Sequence, residues 1–147
     1  SGLPDGEATA APVEGSTEGV VVDPYLADDL GLIDSPFRFE VKAGRIVNIQ
    51  GGNAAQRLQE LILEHGFDAD RFASQLAIGT NPACRLTDNT REVTKKWGTA
   101  HFAIGDNQTL KGAIETSMHM DIAFLKPTLL LDGVPILKDG KLLVEAD

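Results

Sequence analysis

Two histidines and one aspartate are the residues best suited to chemistry in this sequence. His119 and Asp121 stand one residue apart in 117-SMHMDIAFLKP-127, just before an apolar run. Successive side chains of a β-strand point to opposite faces, so His119 and Asp121 share one face. His101 opens a similar segment, 101-HFAIGDN-107. Because a buried ionised carboxylate is costly without a partner, the pattern indicates either a His–Asp hydrogen bond at a strand end or shared metal ligands.

The donor set is compatible with two kinds of metal site. Two histidines and one carboxylate are the composition of the facial triad that holds Fe(II) and leaves coordination positions open. With one more carboxylate, the same set could hold zinc or a pair of metal ions for hydrolysis. The third histidine, His65, stands at the end of a predicted helix, where a cation suits the helix dipole. We interpret His65 as a cap or surface residue.

Other polar side chains near these segments are less specific. Glu7 precedes a β-prone run and by itself fits an exposed strand edge, and Glu92 lies on a predicted short helix. Glu115, four residues before the His-x-Asp pair, could orient a metal ligand. Lys126 could hold an anionic substrate group, but we interpret it as an exposed lysine.

The elements that must position these residues are mostly short strands between turns. The β-prone runs cover residues 7–12, 18–23, 37–41, 45–50, 74–79, 100–105, 119–125, 128–131, 134–137 and 141–144. Asp-Gly pairs at 132–133 and 139–140 separate the last three runs. Asp-Gly favours a tight hairpin because both residues tolerate positive φ, so 128–144 is predicted to form a β-meander.

Helical periodicity appears in only two places. A helix is predicted over 54–66, with Asn53 as its N-cap and Gly66 as its end. Its predicted buried face carries Leu58, Leu61 and Ile62. A shorter helix is predicted within 88–98. The sequence therefore predicts one α+β domain over 1–147, mainly antiparallel β-sheet with one or two short helices.

Composition excludes several classes of protein. The 147 residues carry a formal charge of −9, from 13 basic and 22 acidic residues, and the only paired basic residues are Lys95 and Lys96. Nucleic acid is therefore not expected as a partner. No apolar run approaches the roughly 20 residues of a membrane span, so no membrane association is expected. With Cys84 as the one cysteine, no intrachain disulfide can form, and we expect a cytoplasmic location.

Five segments, taken together and in this order, resemble a known superfamily. They are 3-LPDGEATAAPVEGSTEGVVV-22, 37-FRFEVKAGRIVNIQGG-52, 76-LAIGTNPACRL-86, 98-GTAHFAIGDN-107 and 117-SMHMDIAFLKPTLLLDG-133. The set resembles the C-terminal half of the thermophilic metalloaminopeptidases, the aminopeptidase T type. Within that superfamily it looks closest to the leucyl aminopeptidase-like branch, which also includes the 2,5-dihydroxypyridine 5,6-dioxygenases with one non-haem iron.

The resemblance implies a set of metal ligands. Carried over motif by motif, these would be Glu7 of Leu-Pro-x-Gly-Glu, His101 of His-x-Ala-x-Gly, and the pair His119 and Asp121. Two positions depart from the aminopeptidase pattern. Gln75 stands where the peptidases have a further Glu, and Gln108 stands where they have a Tyr. An amide bridges metals poorly compared with a carboxylate, so both departures argue against a two-metal peptidase site.

Three functional hypotheses follow from the resemblance. The first is a metal-dependent aminopeptidase using zinc, cobalt or manganese on a peptide substrate, with Glu92 as the candidate base. The second is an Fe(II) ring-cleaving dioxygenase acting on a small hydroxylated aromatic, with His101, His119 and Asp121 as its triad. The third is a non-catalytic half. Such a half would lack an N-terminal partner or would form a homo-oligomer through exposed edge strands.

Overall fold

A six-stranded antiparallel sheet carries most of the residues singled out above. The structure, a computed structural model, describes residues 5–143. The sheet has the order β1-β7-β8-β9-β3-β4. Its strands are β1 (Glu7–Ala10), β3 (Leu26–Ala27), β4 (Gly31–Leu32), β7 (Phe72–Gly79), β8 (Ala100–Gly105) and β9 (His119–Phe124). The long strands β7, β8 and β9 are sequential neighbours, so the centre of the sheet is an antiparallel meander.

A second, three-stranded sheet and one helix cover one face of this sheet. The order is β2-β5-β6, and its strands are β2 (Gly19–Val22), β5 (Phe37–Lys42) and β6 (Arg45–Gly51). Helix α1 (Asn53–His65) follows directly. Apolar side chains of β5, α1 and the large sheet form one buried cluster, which includes Phe39, Leu58, Phe72, Ile104 and Ile122. This cluster is the main core of the described residues.

The remaining elements are short. Helix α2 (Thr90–Val93) lies before β8, and a 3₁₀ turn, Gln108–Leu110, follows it. Strands β10 (Leu129–Leu131), β11 (Val134–Lys138) and β12 (Lys141–Leu142) form a third sheet. Within residues 5–143, no helix is long and apolar enough to cross a membrane.

The predicted fold class is confirmed: antiparallel sheets dominate, with two short helices. The meander over 128–144 forms as far as the structure describes it, since residue 144 lies outside the described residues. Asp132 and Asp139 have φ of 50° and 48°, and each precedes a glycine with φ of 80°. The Asp-Gly pairs thus form the turns that their tolerance of positive φ predicts.

Two local predictions need correction, and one pair of short strands was not predicted. Asn53 is the first residue of α1 and not its cap; Gly52 takes the cap position, no side chain caps the helix, and the Gly52 carbonyl accepts the first helical hydrogen bond, from Gln56. The short helix predicted within 88–98 is only Thr90–Val93, capped by the Asn89 side chain. Strands β3 and β4 were not predicted, because two-residue strands carry no periodicity.

Candidate metal centre

One face of the large sheet gathers the residues that the sequence singled out. Directly opposed residues of antiparallel strands point to the same side. His101 on β8 lies opposite Ala77 on β7 and Ala123 on β9. Because faces alternate along each strand, His119 and Asp121 on β9 share the face of His101.

Strand β1 adds a carboxylate to this polar face. Its antiparallel register with β7 places Glu7 opposite Gly79, on the same face of the sheet as His101 of β8. Glu7 Oε2 lies 3.5 Å from His101 Nε2 and 3.2 Å from Lys95 Nζ. The sequence alone assigned Glu7 to an exposed strand edge, whereas the structure leaves its side chain only 12% exposed. The exposed-edge interpretation is therefore corrected, and the ligand role that the resemblance implies for Glu7 stays a prediction.

His119 and Asp121 form the second pair of donors. His119 Nε2 lies 3.6 Å from Asp121 Oδ1. His119 Nδ1 lies 3.3 Å from the carbonyl oxygen of Asp106, which can only accept, so Nδ1 carries the proton in that contact. Nε2 is then a lone-pair donor facing a carboxylate oxygen. Two such atoms repel each other unless a proton or a cation lies between them.

Small residues lie among the polar side chains of this face. Ala77, Gly79, Ala103 and Ala123 share it with the polar side chains. Beside them lies a cavity of about 840 Å³. Its lining residues are Asp5, Glu7, Thr9, Asp28, Gln75, Thr90, Arg91, Thr94, Lys95, Asp106, Thr109, Leu110, Thr116, His119 and Asp121. This volume is ample for an aromatic ring with substituents.

Buried polar atoms without hydrogen-bond partners cluster at the same place. Among the described residues, five buried side-chain atoms have no partner, and four of them belong to this site: Glu7 Oε2, His101 Nδ1, His101 Nε2 and Asp121 Oδ1. Buried polar groups are nearly always paired in native proteins, so this cluster requires an explanation. A cation bound by one His101 nitrogen and by the carboxylate oxygens would satisfy three of the four, since the two nitrogens of one imidazole cannot bind the same ion, and these are donors that transition metals accept.

Burial also perturbs two pKa values at the site. Desolvation, with the nearby charges of Lys95 and His119, lowers the pKa of His101 to about 4. Desolvation, followed by the charge of Asp28, raises the pKa of Asp121 to about 6. At pH 7 His101 is therefore neutral, which is the form in which imidazole binds metals, and Asp121 is mostly ionised.

The donors are not preassembled around one point. In the stretch 5–143, no group of three or more His, Cys, Asp or Glu side chains already has metal-binding geometry. They form two pairs, Glu7 with His101 and His119 with Asp121. A shared ion would therefore require rotation of side chains, and of these donors Glu7, His119 and Asp121 line the open cavity, whereas His101 is buried behind it.

The other candidate residues are spread around this site. Glu92 does not line the cavity; its Oε1 accepts from the backbone N–H of Arg85 at 2.8 Å. Glu115 and Lys126 are exposed. Gln75 does line the cavity, at the position where the resemblance expects a Glu in peptidases.

Further outcomes concern His65 and Gln108. His65 closes α1, as predicted, and its Nδ1 contacts Ser117 Oγ at 2.7 Å. Gln108 lies exposed on the 3₁₀ turn and does not line the cavity.

Sequence reasoning missed Lys95 and Asp28. Lys95 is buried in the cavity wall beside Glu7. Asp28 Oδ2 accepts from the backbone N–H of Asp121 at 2.9 Å, so it holds the strand that carries two of the donors. For Lys95, the Lys95-Lys96 pair was a visible feature, but nothing in it distinguishes a buried lysine from an exposed one.

Fold and site together define an α+β protein with two histidines and two carboxylates on the polar face of its main sheet. The model of the NicX family, described as 2,5-dihydroxypyridine 5,6-dioxygenase, matches residues 2–144. The chain belongs to this family.

A solved structure shows the same fold. The 2,5-dihydroxypyridine dioxygenase from Pseudomonas putida KT2440 superposes with a TM-score of 0.80 at 21% sequence identity. The match covers 93% of this chain and 43% of that one, so the chain spans less than half the length of that enzyme. No curated protein matches the sequence.

The comparisons favour the second functional hypothesis over the first. They support the dioxygenase branch of the resemblance, and they give no support to an aminopeptidase or to another hydrolase. The single-domain prediction for 1–147, the cytoplasmic location and the oligomeric state stay predictions.

Proposed function

We propose that this chain is the metal-binding part of a non-haem Fe(II) dioxygenase that cleaves the ring of 2,5-dihydroxypyridine or a closely related hydroxylated aromatic. Family membership supports the reaction class. The observation that carries the proposal is the cluster of four buried, unpartnered donor atoms beside the cavity. In the reaction that the family description names, the ring C5–C6 bond breaks and both atoms of O₂ are added to the substrate.

The residues fit a mononuclear iron site. His101, His119 and Asp121 would hold the ion, as two imidazoles and one carboxylate. Such an ion supplies open coordination positions and the redox chemistry that O₂ requires.

The surrounding residues orient the donors. The Asp106 carbonyl accepts from His119 Nδ1 and thereby keeps Nε2 free to donate a lone pair. The Asp28 carboxylate holds the Asp121 backbone through its N–H. Neighbouring side chains bury His101 to 1% exposure, so water does not compete for its ring nitrogens.

The side chains of Glu7 and Gln75 favour a site for one metal ion over a site for two. Glu7 is occupied by the Lys95 ammonium at 3.2 Å, and Gln75 is neutral. Because a neutral amide stands where the resemblance expects a carboxylate, the cavity lacks a bridging ligand that a hydrolytic metal pair needs. We therefore place Glu7 beside the ion and not in a second metal site.

The first experiment is anaerobic reconstitution with Fe(II), followed by metal analysis per mole of chain. We expect about one iron per chain, and O₂ uptake after addition of 2,5-dihydroxypyridine. His119→Ala should abolish both, whereas His65→Ala, a histidine outside the cavity, should change neither.

Other outcomes would contradict the proposal in different ways. Iron binding without O₂ uptake would contradict the dioxygenase activity and leave metal binding alone. Two zinc, cobalt or manganese ions with peptide hydrolysis would revive the aminopeptidase hypothesis. No metal under any condition would leave His119 with a structural role.

A further inference from the structure

A buried lysine stands in the wall of the cavity. The Lys95 side chain is 9% exposed, and it lines the cavity together with Glu7 and Asp121. Lysine is almost never this buried unless it is paired, because its ammonium loses hydration. The groups that contact the Lys95 ammonium therefore show whether it is fully paired within the protein or is available to a ligand.

The partners of the Lys95 ammonium are incomplete. Its Nζ donates to Thr94 Oγ1 at 3.1 Å. The contact with Glu7 Oε2, at 3.2 Å, is an ion pair without hydrogen-bond geometry, since Oε2 has no hydrogen-bond partner. An ammonium has three N–H donors. Two of them thus have no acceptor within the described part of the chain.

The backbone of Lys95 is held in place. Its carbonyl accepts from Asn81 N at 2.8 Å, and its N–H donates to the Glu92 carbonyl at 3.2 Å. At Gly79 a Cβ would meet the Lys96 carbonyl oxygen at 1.9 Å, so only glycine lets β7 approach this closely. The ammonium is therefore presented to the cavity by a fixed main chain and not by a mobile surface loop.

The charged side chains that line the cavity are mostly acidic, and Lys95 is a positive charge among them. Five carboxylates line it, those of Asp5, Glu7, Asp28, Asp106 and Asp121. The other lining cation, Arg91, has an exposed side chain. An anionic ligand entering this cavity would be repelled by the carboxylates unless a buried cation offset them.

We propose that Lys95 is a substrate-binding residue whose ammonium binds an anionic oxygen substituent of the aromatic ring. The inference rests on the proposed function, because the ring substrate comes from it. A compact ammonium with free N–H donors suits a single charged oxygen. The competing role is structural, with Lys95 acting only as the counterion of Glu7.

Ring binding separates the two roles without requiring turnover. Anaerobic calorimetry on Fe(II)-loaded protein would measure the affinity for 2,5-dihydroxypyridine and for two monohydroxypyridines. 2-Hydroxypyridine lacks the 5-oxygen of 2,5-dihydroxypyridine, and 3-hydroxypyridine lacks the 2-oxygen. We expect Lys95→Met to weaken the binding of 2,5-dihydroxypyridine by about 10- to 100-fold, which is the range expected for loss of a charged hydrogen bond. It should weaken one monohydroxy ring similarly and the other by less than about threefold.

Two further variants serve as controls. Lys95→Arg keeps the charge and should recover most of the lost affinity. Lys96→Met removes the same charge one residue along, from a side chain that does not line the cavity, and should leave all three affinities unchanged. Metal content and melting temperature of each variant show whether it is folded and loaded.

The outcomes distinguish this inference from the proposed function. If the Lys95→Met variant has wild-type affinity for all three rings, or if its affinity for all three falls equally, Lys95 does not bind a ring oxygen. If the wild type binds rings selectively through Lys95 but consumes no O₂, the dioxygenase proposal fails and Lys95 keeps its binding role. A loaded wild type that binds no ring overturns both.

Discussion

The two faces of the large sheet differ in how completely their side chains are paired. On one face a series of aromatic rings crosses the strands, with Phe39, Phe72, Phe102 and Phe124 in contact at centroid distances of 5.4, 5.1 and 6.1 Å. On the other face, buried histidine and carboxylate atoms lie beside alanine and glycine without partners. Every strand contributes to both faces, because its side chains alternate.

The contrast indicates which face supplies stability and which supplies function. Apolar burial and aromatic contact stabilise the first face whether or not anything is bound. The second face gains no such energy, and its unpaired polar groups cost free energy until a ligand satisfies them. Adjacent residues of one strand should therefore respond in opposite ways to substitution.

The largest effect is expected from the apolar face. Ile122 is fully buried in the main core and adjoins Asp121 in sequence. Ile122→Ala should lower the free energy of unfolding by about 2–5 kcal/mol, from lost burial and an unfilled cavity. Urea denaturation of the metal-free protein measures this. Metal bound per folded chain should not change, and its loss would show that the two faces are not independent.

A smaller effect is expected where the polar face meets the segment after α2. Gly79→Ala places a methyl group against the Lys96 carbonyl, and overpacking of this kind costs about 1–3 kcal/mol. The displaced segment carries Lys95, so ring affinity should fall together with the melting temperature. Normal ring affinity in a destabilised Gly79→Ala protein would mean that the position of Lys95 is not critical.

Asp121→Asn should reverse the sign of the stability change. Burial and Asp28 raise the pKa of Asp121 to about 6, so its ionised form disfavours the folded state at pH 8. Removing that charge should stabilise the metal-free protein by on the order of 1 kcal/mol and abolish metal binding. A destabilised metal-free variant would contradict the assignment of Asp121 as an unpaired buried charge.

Asp121→Asn should also change how the stability of the metal-free protein depends on pH. The pKa of His101 is lowered from 6.5 to about 4, so the unfolded chain binds the proton more readily, and stability falls as the pH drops from 6.5 to 4. The pKa of Asp121 is raised, so between 3.8 and about 6 its protonation favours the folded state and opposes that loss. Without Asp121 the decline on acidification should be steeper than in the wild type, as urea midpoints from pH 4 to 7 would show.

The smallest effect is expected in the loop that borders the cavity. Glu14 Oε1 accepts from Asn107 Nδ2 at 2.9 Å and from Ala113 N at 2.8 Å, and these hydrogen bonds lower the pKa of Glu14. Glu14→Gln keeps the shape and removes the charge. We expect faster amide hydrogen exchange in 106–118 and no change in the melting temperature. Unchanged exchange would mean that the loop holds itself in place.

Local features of the fold could be predicted because they depend on neighbouring residues. The alternation of apolar and polar residues in 37-FRFEV-41 is typical of a half-exposed strand, and β5 buries Phe37 and Phe39 on one face. The Asp-Gly pairs predicted the hairpins. The same alternation placed His119 and Asp121 on one face. The bulge between Phe72 and Gln75 was missed, since bulges arise from pairing and not from sequence period.

The long-range part of the site could not be derived in this way. Glu7 and His101 come together through the register of β1, β7 and β8. The resemblance implied that the two residues share a site, but periodicity along the sequence cannot give that register. Lys95 depends on how the segment after α2 packs against β7. A lysine in a short polar segment has no local property that reveals its burial.

Strand β1 is an edge strand, paired with β7 alone among the described strands, and three of its four residues are exposed. Any ligand that engages Glu7 binds only molecules in which this edge is docked. At 100 times its dissociation constant, such a ligand would add about 2.7 kcal/mol to docking of the edge. Binding of such a ligand would then set how readily a protease cuts at residues 7–10, and resistance to digestion becomes a direct gauge of site occupancy.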